Sequence, residues 1–246
     1  MKLRLGAVVL TAALTPLTAV GTPSPARAGV DITPPEVGSC HAYTMAEGAG
    51  RSDRTPVVDC ADPHTAITVE VVEFDQAPDW DDPDALDRAL RTQCYPAYFE
   101  ALGGNIKTIQ RSAHILYVFI PTKAQREAGA AWLRCDATLQ GGTRLMNLPD
   151  NLVLGSLPLP DRVAKCRTGK RFDYAYTVCA RPHQFRAAVS IRYPHDSYPG
   201  KRAAVRFALR KCRARAEAPF FYEAVFSRAA WTLGYRHAVC LWTNSD

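Results

Sequence analysis

Eight cysteines fall into two sets of four, and the chain around them repeats. Val58-Asp59-Cys60-Ala61-Asp62-Pro63-His64 returns as Thr177-Val178-Cys179-Ala180-Arg181-Pro182-His183, with Cys-Ala-x-Pro-His shared at an offset of 119 residues. The third cysteines, Cys94 and Cys212, are offset by 118, and Gly129 and Gly234 each stand six residues before the last cysteine, Cys135 or Cys240. The opening cysteines share Val-x-x-Cys, at Val37 to Cys40 and Val163 to Cys166. Self-similarity of this extent means a duplicated module, so the fold must be one that a small unit can build twice.

The compartment decides what the cysteines do. Residues 1–28 read as a secretory signal: Lys2 and Arg4 form a positive start, Ala7 to Val20 an apolar stretch, and Ala26-Arg27-Ala28 a cleavage site. No later segment approaches the apolar length of a membrane helix, so the mature chain is expected to be extracytoplasmic without a transmembrane helix. An even cysteine count in an exported chain points to disulfides, and the absence of any C-x-x-C pair argues against zinc. The repeat requires both modules to pair alike. A cysteine opening a module reaches the start of its first strand, and a helix cysteine reaches the sheet it covers. The expected cystines are Cys40–Cys60, Cys94–Cys135, Cys166–Cys179 and Cys212–Cys240.

Periodicity predicts the same elements in each copy. Thr65 to Phe74 alternates as a strand, Asp82-Pro83 opens a helix with a capping Asp and Pro at its first position, and Ile115–Ile120 and Ala130–Leu139 read as buried strands. In the second copy Phe185–Ile191 is a strand and Lys201–Arg215 an amphipathic helix with Val205, Ala208, Leu209 and Cys212 inward. Phe221–Phe226 and Arg236–Trp242 are strands. The expected fold class is α+β: two tandem disulfide-stapled modules, each a small antiparallel sheet with a packed helix. They occupy residues 29–139 and 161–246. Residues 140–160 between them carry too many leucines for a free linker and are expected to pack against one or both modules.

Residues 29–157 hold 10 basic and 18 acidic residues, net −8, whereas 158–246 hold 17 and 6, net +11. Such opposite charges would favour docking of the halves. Lys201, Arg202, Arg206, Arg210 and Arg213 cover the outer face of the second helix and form a candidate anion-binding surface. His64 and His183 each follow Cys-Ala-x-Pro. Pro63 and Pro182 would fix the turn after the cystine, and the imidazole would bond a nearby backbone group, since no second ligand stands at metal spacing. Asp79, Asp81, Asp82 and Asp84 lack the glycine and terminal glutamate of a calcium loop and suit a helix start. No nucleophile, P-loop or dinucleotide motif is present, so no catalytic residue, metal or cofactor is assigned.

The order Cys, V-x-C-x-x-P-H, helix Cys, then W-x-x-G-x-R-x-x-x-C resembles the septum-formation family of exported actinobacterial proteins. Trp231, Gly234, Arg236 and Cys240 match the closing motif. The first module keeps Pro121-Thr122, Gly129 and Cys135 but has Arg126 and Ala131 where Trp and Arg would stand, and the second has Ser227-Arg228 in place of Pro-Thr. The resemblance implies a role in cell division or envelope assembly and brings no defined catalytic site. The expected function is therefore a secreted, non-catalytic binding or scaffolding factor of the cell envelope. Its partner would be an anionic wall polymer, a lipid surface or a division protein, and not nucleic acid, since no aromatics interleave the basic residues. The alternative is a wall hydrolase with two carboxylates facing across a cleft.

Overall fold

A computed structural model describes residues 29–170, 173–216 and 219–243; residues 1–28, expected from the sequence to be a signal, lie outside them. Two antiparallel sheets carry the chain. The first contains β1 (Cys40–His41), β2 (Val57–Val58), β3 (Ala66–Glu73), β4 (His114–Phe119), β5 (Trp132–Gln140) and a short β6 (Leu145–Met146). The second contains β7 (Lys165–Lys170), β8 (Asp173–Val178), β9 (Phe185–Arg192), β10 (Phe220–Glu223) and β11 (His237–Trp242). Their strand orders are β2-β1-β3-β5-β4 and β8-β7-β9-β11-β10, which is one topology used twice.

The helices correspond only in part: the first half has two short ones without a counterpart among the described residues of the second. In the first half α1 (Met45–Gly48) follows β1, and α2 (Pro83–Ala89) starts as expected, with the Asp82 carboxylate accepting from Asp84 N–H and Pro83 in the first turn. The helix then passes through a π turn, Leu90–Cys94, into α3 (Tyr95–Ala101). Pro96 explains the turn: its ring would clash with the Thr92 carbonyl four residues back, and widening the helix relieves the clash while Tyr95 N–H reaches Leu90 C=O. Short helices α4 (Ile106–Ile109) and α5 (Lys123–Glu127) complete this half, and α6 (Lys201–Arg213) and α7 (Arg228–Thr232) serve the second.

The cystines are Cys40–Cys60, Cys94–Cys135, Cys166–Cys179 and Cys212–Cys240, with no free cysteine. Cys94 and Cys135 sit fully buried in a core of Val72, Ala89, Ile120 and Leu133 between helix and sheet. Cys212 likewise ties α6 to β11. The inward face of α6 is rotated from the expected one: Ala204, Phe207, Ala208 and Cys212 are buried, while Val205 and Leu209 lie half-buried at its margin. Phe207 turns the helix this way by packing its ring on Tyr193, centroids 4.6 Å apart. β10 stops at Glu223, three residues early, because the Tyr193 hydroxyl accepts from Val225 N–H and the Tyr198 hydroxyl donates to Val225 C=O, replacing the strand ladder.

The segment between the sheets packs. Leu145, Leu148 and Leu159 are buried, and Leu148 and Leu159 share one cluster with Ala113, Leu139, Val163 and Val178 from both halves. Backbone bonds cross the same seam, Ala113 N–H to Val163 C=O and Lys165 N–H to Arg111 C=O, each 2.8 Å. The Phe99 and Tyr235 rings meet edge to face at 5.5 Å. No ion pair crosses the seam: among the described residues every one lies within one half. Burial of apolar surface and paired backbone groups act at short range, whereas the opposite net charges sit mostly on exposed faces where water screens them.

Candidate functional site

The four arginines of α6 form one row. At 100° per residue Arg202, Arg206, Arg210 and Arg213 fall within an arc of about 80°, and at 1.5 Å per residue they extend about 16 Å along the helix. All four are exposed, and none reaches a carboxylate among the described residues. Lys201 stands apart from the row, its ammonium 5.6 Å from the centre of the Phe226 ring.

The repeat histidines hold turns. His64 Nδ1 lies 2.9 Å from Asp62 C=O and His183 Nδ1 lies 2.8 Å from Arg181 C=O, so in both copies the imidazole closes the turn two residues back. His183 lies beside Cys166 and Cys179, but their thiolates are spent in a cystine and leave one ligand. Gly129 and Gly234 end α5 and α7 at φ +99° and +93°, where a side chain would be strained. In each copy the glycine N–H and the next N–H reach back to the helix carbonyls, Arg126 and Gln125 or Trp231 and Ala230, a Schellman closure. Thr122 and Ser227 cap the starts of these helices with their hydroxyls, so Ser227 occupies the place of Thr122 itself. Trp231 is buried, its indole N–H donating to Asp196 C=O, with the Arg236 guanidinium 5.7 Å from its ring.

Two polar clusters have no counterpart in the sequence motifs. In the first half Arg134 bonds Asp53 at 2.6 Å and Asp136 at 3.0 Å, and the three side chains are only 6%, 2% and 0% exposed. Tyr43 and Thr68 donate to Asp136, and Thr68 Oγ1 lies 3.2 Å from His41 Nε2. Thr68 spends its proton on Asp136, and Ser39, also 3.2 Å from Nε2, spends its own on Glu36 C=O, so His41 donates from Nε2 and Nδ1 is its unpaired nitrogen. Burial raises the Asp136 carboxyl. It does the same to Asp53, but Arg134 and Thr55 outweigh it and hold that group below the usual range. Strand alternation carries the only sequence trace of this cluster, since Arg134 and Asp136 share the face of β5 opposite Leu133 and Cys135.

The second cluster lines a cleft of about 440 Å³ at the seam. Alternation along β10 puts Phe221 and Glu223 on the face away from α6, and Arg167 and its register partner Tyr176 join them there. Lys165 and Arg167 both bond Glu223, at 3.1 and 2.8 Å, and the Arg167 guanidinium lies 3.8 Å from the Tyr176 ring centre. Burial alone would raise the Glu223 carboxyl, but these two cations hold it below its ordinary range. Tyr98, Ile109 and Gln110 of the first half form the opposite wall. His114 also lines the cleft, 6% exposed with neither ring nitrogen bonded, and burial pushes its pKa down to about 4. An orphaned buried group of this kind costs about 1–3 kcal/mol. The cleft residues come from five separated segments, so no local pattern announces them.

The two buried histidines set an acid sensitivity. His41 is also held down to about 4, by burial first and Arg134 second. In the unfolded chain both protonate near the ordinary histidine value, so below about pH 6.5 the unfolded state binds more protons. Their contribution is complete above that pH and is lost as pH falls through 4. Urea unfolding is expected to show about 3 kcal/mol lost per histidine between these limits. Asp53 and Glu223 add to the loss at still lower pH, and Asp136, raised by burial, opposes it. Because Asp136 offsets part of the loss in the same window, the parent is compared with His41→Phe and His114→Phe: a stability difference that stays constant from pH 7 to 4 would exclude neutral burial of these rings.

Compared with known proteins, residues 37–240 match the family model described as septum formation, in one span that includes both halves. No curated protein and no solved structure matches.

Proposed function

The chain belongs to the septum-formation family, and from that premise we propose that it is an exported cell-envelope protein that acts by binding, with the arginine row of α6 as its contact for an anionic partner. The row carries the reading: four guanidinium groups, exposed on one face and without carboxylate partners among the described residues, are poised for paired contacts to phosphate or carboxylate oxygens. A wall polymer or an acidic lipid surface at the division site offers such groups. Four cystines fit an oxidising, extracytoplasmic setting, and the 1–28 signal segment would deliver the chain there. Binding fits better than the hydrolase alternative because a glycosidase needs two carboxyls facing across a cleft. Here Asp53 and Asp136 are tied to Arg134, Glu223 is the single carboxylate of the seam cleft and is paired with two cations, and Asp82 and Asp84, which share a surface pocket, both belong to the start of α2, with Asp82 spent on its cap.

The test is retention on purified walls and on vesicles rich in anionic lipid. Replacing Arg206, Arg210 and Arg213 together by alanine is expected to weaken retention by about tenfold or more, and raising salt toward 1 M should do the same to the parent. Stability should move by no more than about 0.5 kcal/mol per site, because these side chains are exposed. Retention unaffected by both the substitutions and salt would overturn the assignment.

A further inference from the structure

We propose that the cleft between the two halves is a second binding site, specific for a small sugar bearing one carboxylate. The cleft volume, about 440 Å³, falls in the range of small-ligand sites. Its wall contains polar atoms that the protein itself leaves without partners: both ring nitrogens of His114 and Oε1 of Gln110, on side chains 6% and 9% exposed. Arg167 Nε and His237 Nδ1 in the same wall are also unpartnered, so unmet polar atoms gather around this cleft and a group entering it is their nearest partner. Neutral imidazole and amide pair well with the hydroxyls and amide of a sugar, and the Tyr235 ring in the cleft wall offers a flat face for its C–H groups, since Arg167 already covers Tyr176 and Phe221.

The charge selects the acid. Lys165 and Arg167 bring two positive charges against the single negative charge of Glu223, leaving a surplus of one. Lys165 spends one of its three donors on Glu223 and has two for a ligand. One carboxylate balances that surplus, whereas a doubly charged phosphate would exceed it and meet Glu223 in repulsion. The site lies on the opposite face of the second sheet from α6 and does not depend on the arginine row. Only the choice of an amino sugar as probe rests on the envelope reading.

Calorimetric titration of the full chain with N-acetylmuramic acid and with N-acetylglucosamine, the same ring lacking the carboxylate, tests this. The acid is expected to bind with a Kd in the sub-millimolar range and the neutral sugar about tenfold more weakly. Lys165→Met should erase that difference. His114→Phe should weaken both sugars at least about fivefold while the thermal midpoint holds or rises, since it removes two unpaired buried nitrogens. Gln110→Ala, at the opposite wall, should also weaken both and serves if the histidine variant does not fold. The R206A/R210A/R213A variant should leave sugar affinity unchanged, which separates failure here from failure of the wall-binding reading. No binding of the acid at about 10 mM, or affinity untouched by both Lys165→Met and Gln110→Ala, would overturn the proposal.

Discussion

Replacing Arg134 by leucine is expected to cost about 3–5 kcal/mol of folding stability. Asp53 and Asp136 would remain in the interior with no cation beside them, and the hydrogen bonds from Thr55, Thr68 and Tyr43 cannot supply the missing charge. The carboxyls would respond by moving upward in pKa, so the variant should regain part of the loss as pH falls, where they bind protons more readily folded than unfolded. Neutralising both acids in the same chain, Arg134→Leu with Asp53→Asn and Asp136→Asn, should recover most of the stability at pH 7, because no uncompensated charge is then buried. Urea unfolding of the parent, single and triple variants measures this directly. If the single variant loses less than about 1 kcal/mol, the network is no more than a surface-like pair.

The second large effect is expected from the cystine of the first core. Removing Cys94–Cys135, which spans 41 residues, should cost about 4 kcal/mol by loop closure in the unfolded chain. Removing Cys166–Cys179, which spans 13, should cost about 3 kcal/mol by the same reasoning. The gap should widen in practice, since Cys94 and Cys135 are fully buried among Val72, Ala89, Ile120 and Leu133, and alanine at both leaves a void there. Double-alanine variants compared by thermal and urea unfolding decide it. A larger loss from the short loop than from the long one would show that these bonds act through native contacts and not through the unfolded chain.

Much of this architecture was legible before any coordinates. The offset of 119 residues, the Asp82-Pro83 helix start and the alternation around Ile67 and Val69 are local signals, and local signals survive because backbone preference and burial period act within a few residues. A duplicated order of cysteines requires both copies to pair alike, and the reach of a helix cysteine to the sheet it covers selects the pairing from the three that four cysteines allow. The hairpin of β7 and β8 carries no such local signal, for a physical reason. Lys165, Arg167, Tyr174 and Tyr176 read as a polar stretch, and they become a sheet face only because the guanidinium stacks on the aromatic rings and on Phe221, 4.6 Å away, supplied from another strand. The inner face of α6 shifted for a similar reason, as Phe207 found Tyr193.

The sequence by itself determined the duplication, the cystines, the α+β class and the basic row on the outer face of the second helix. All of these depend on spacing and period along the chain. Tertiary structure alone decided that leucines and backbone bonds fill the seam, with no ion pair across it among the described residues, and that Arg134 is buried between two carboxylates. It also decided that Gln110, His114, Lys165, Arg167 and Glu223 meet around one cleft. These residues lie up to 113 positions apart, and their charges and unpaired nitrogens acquire meaning only when the packing of two sheets removes water from around them.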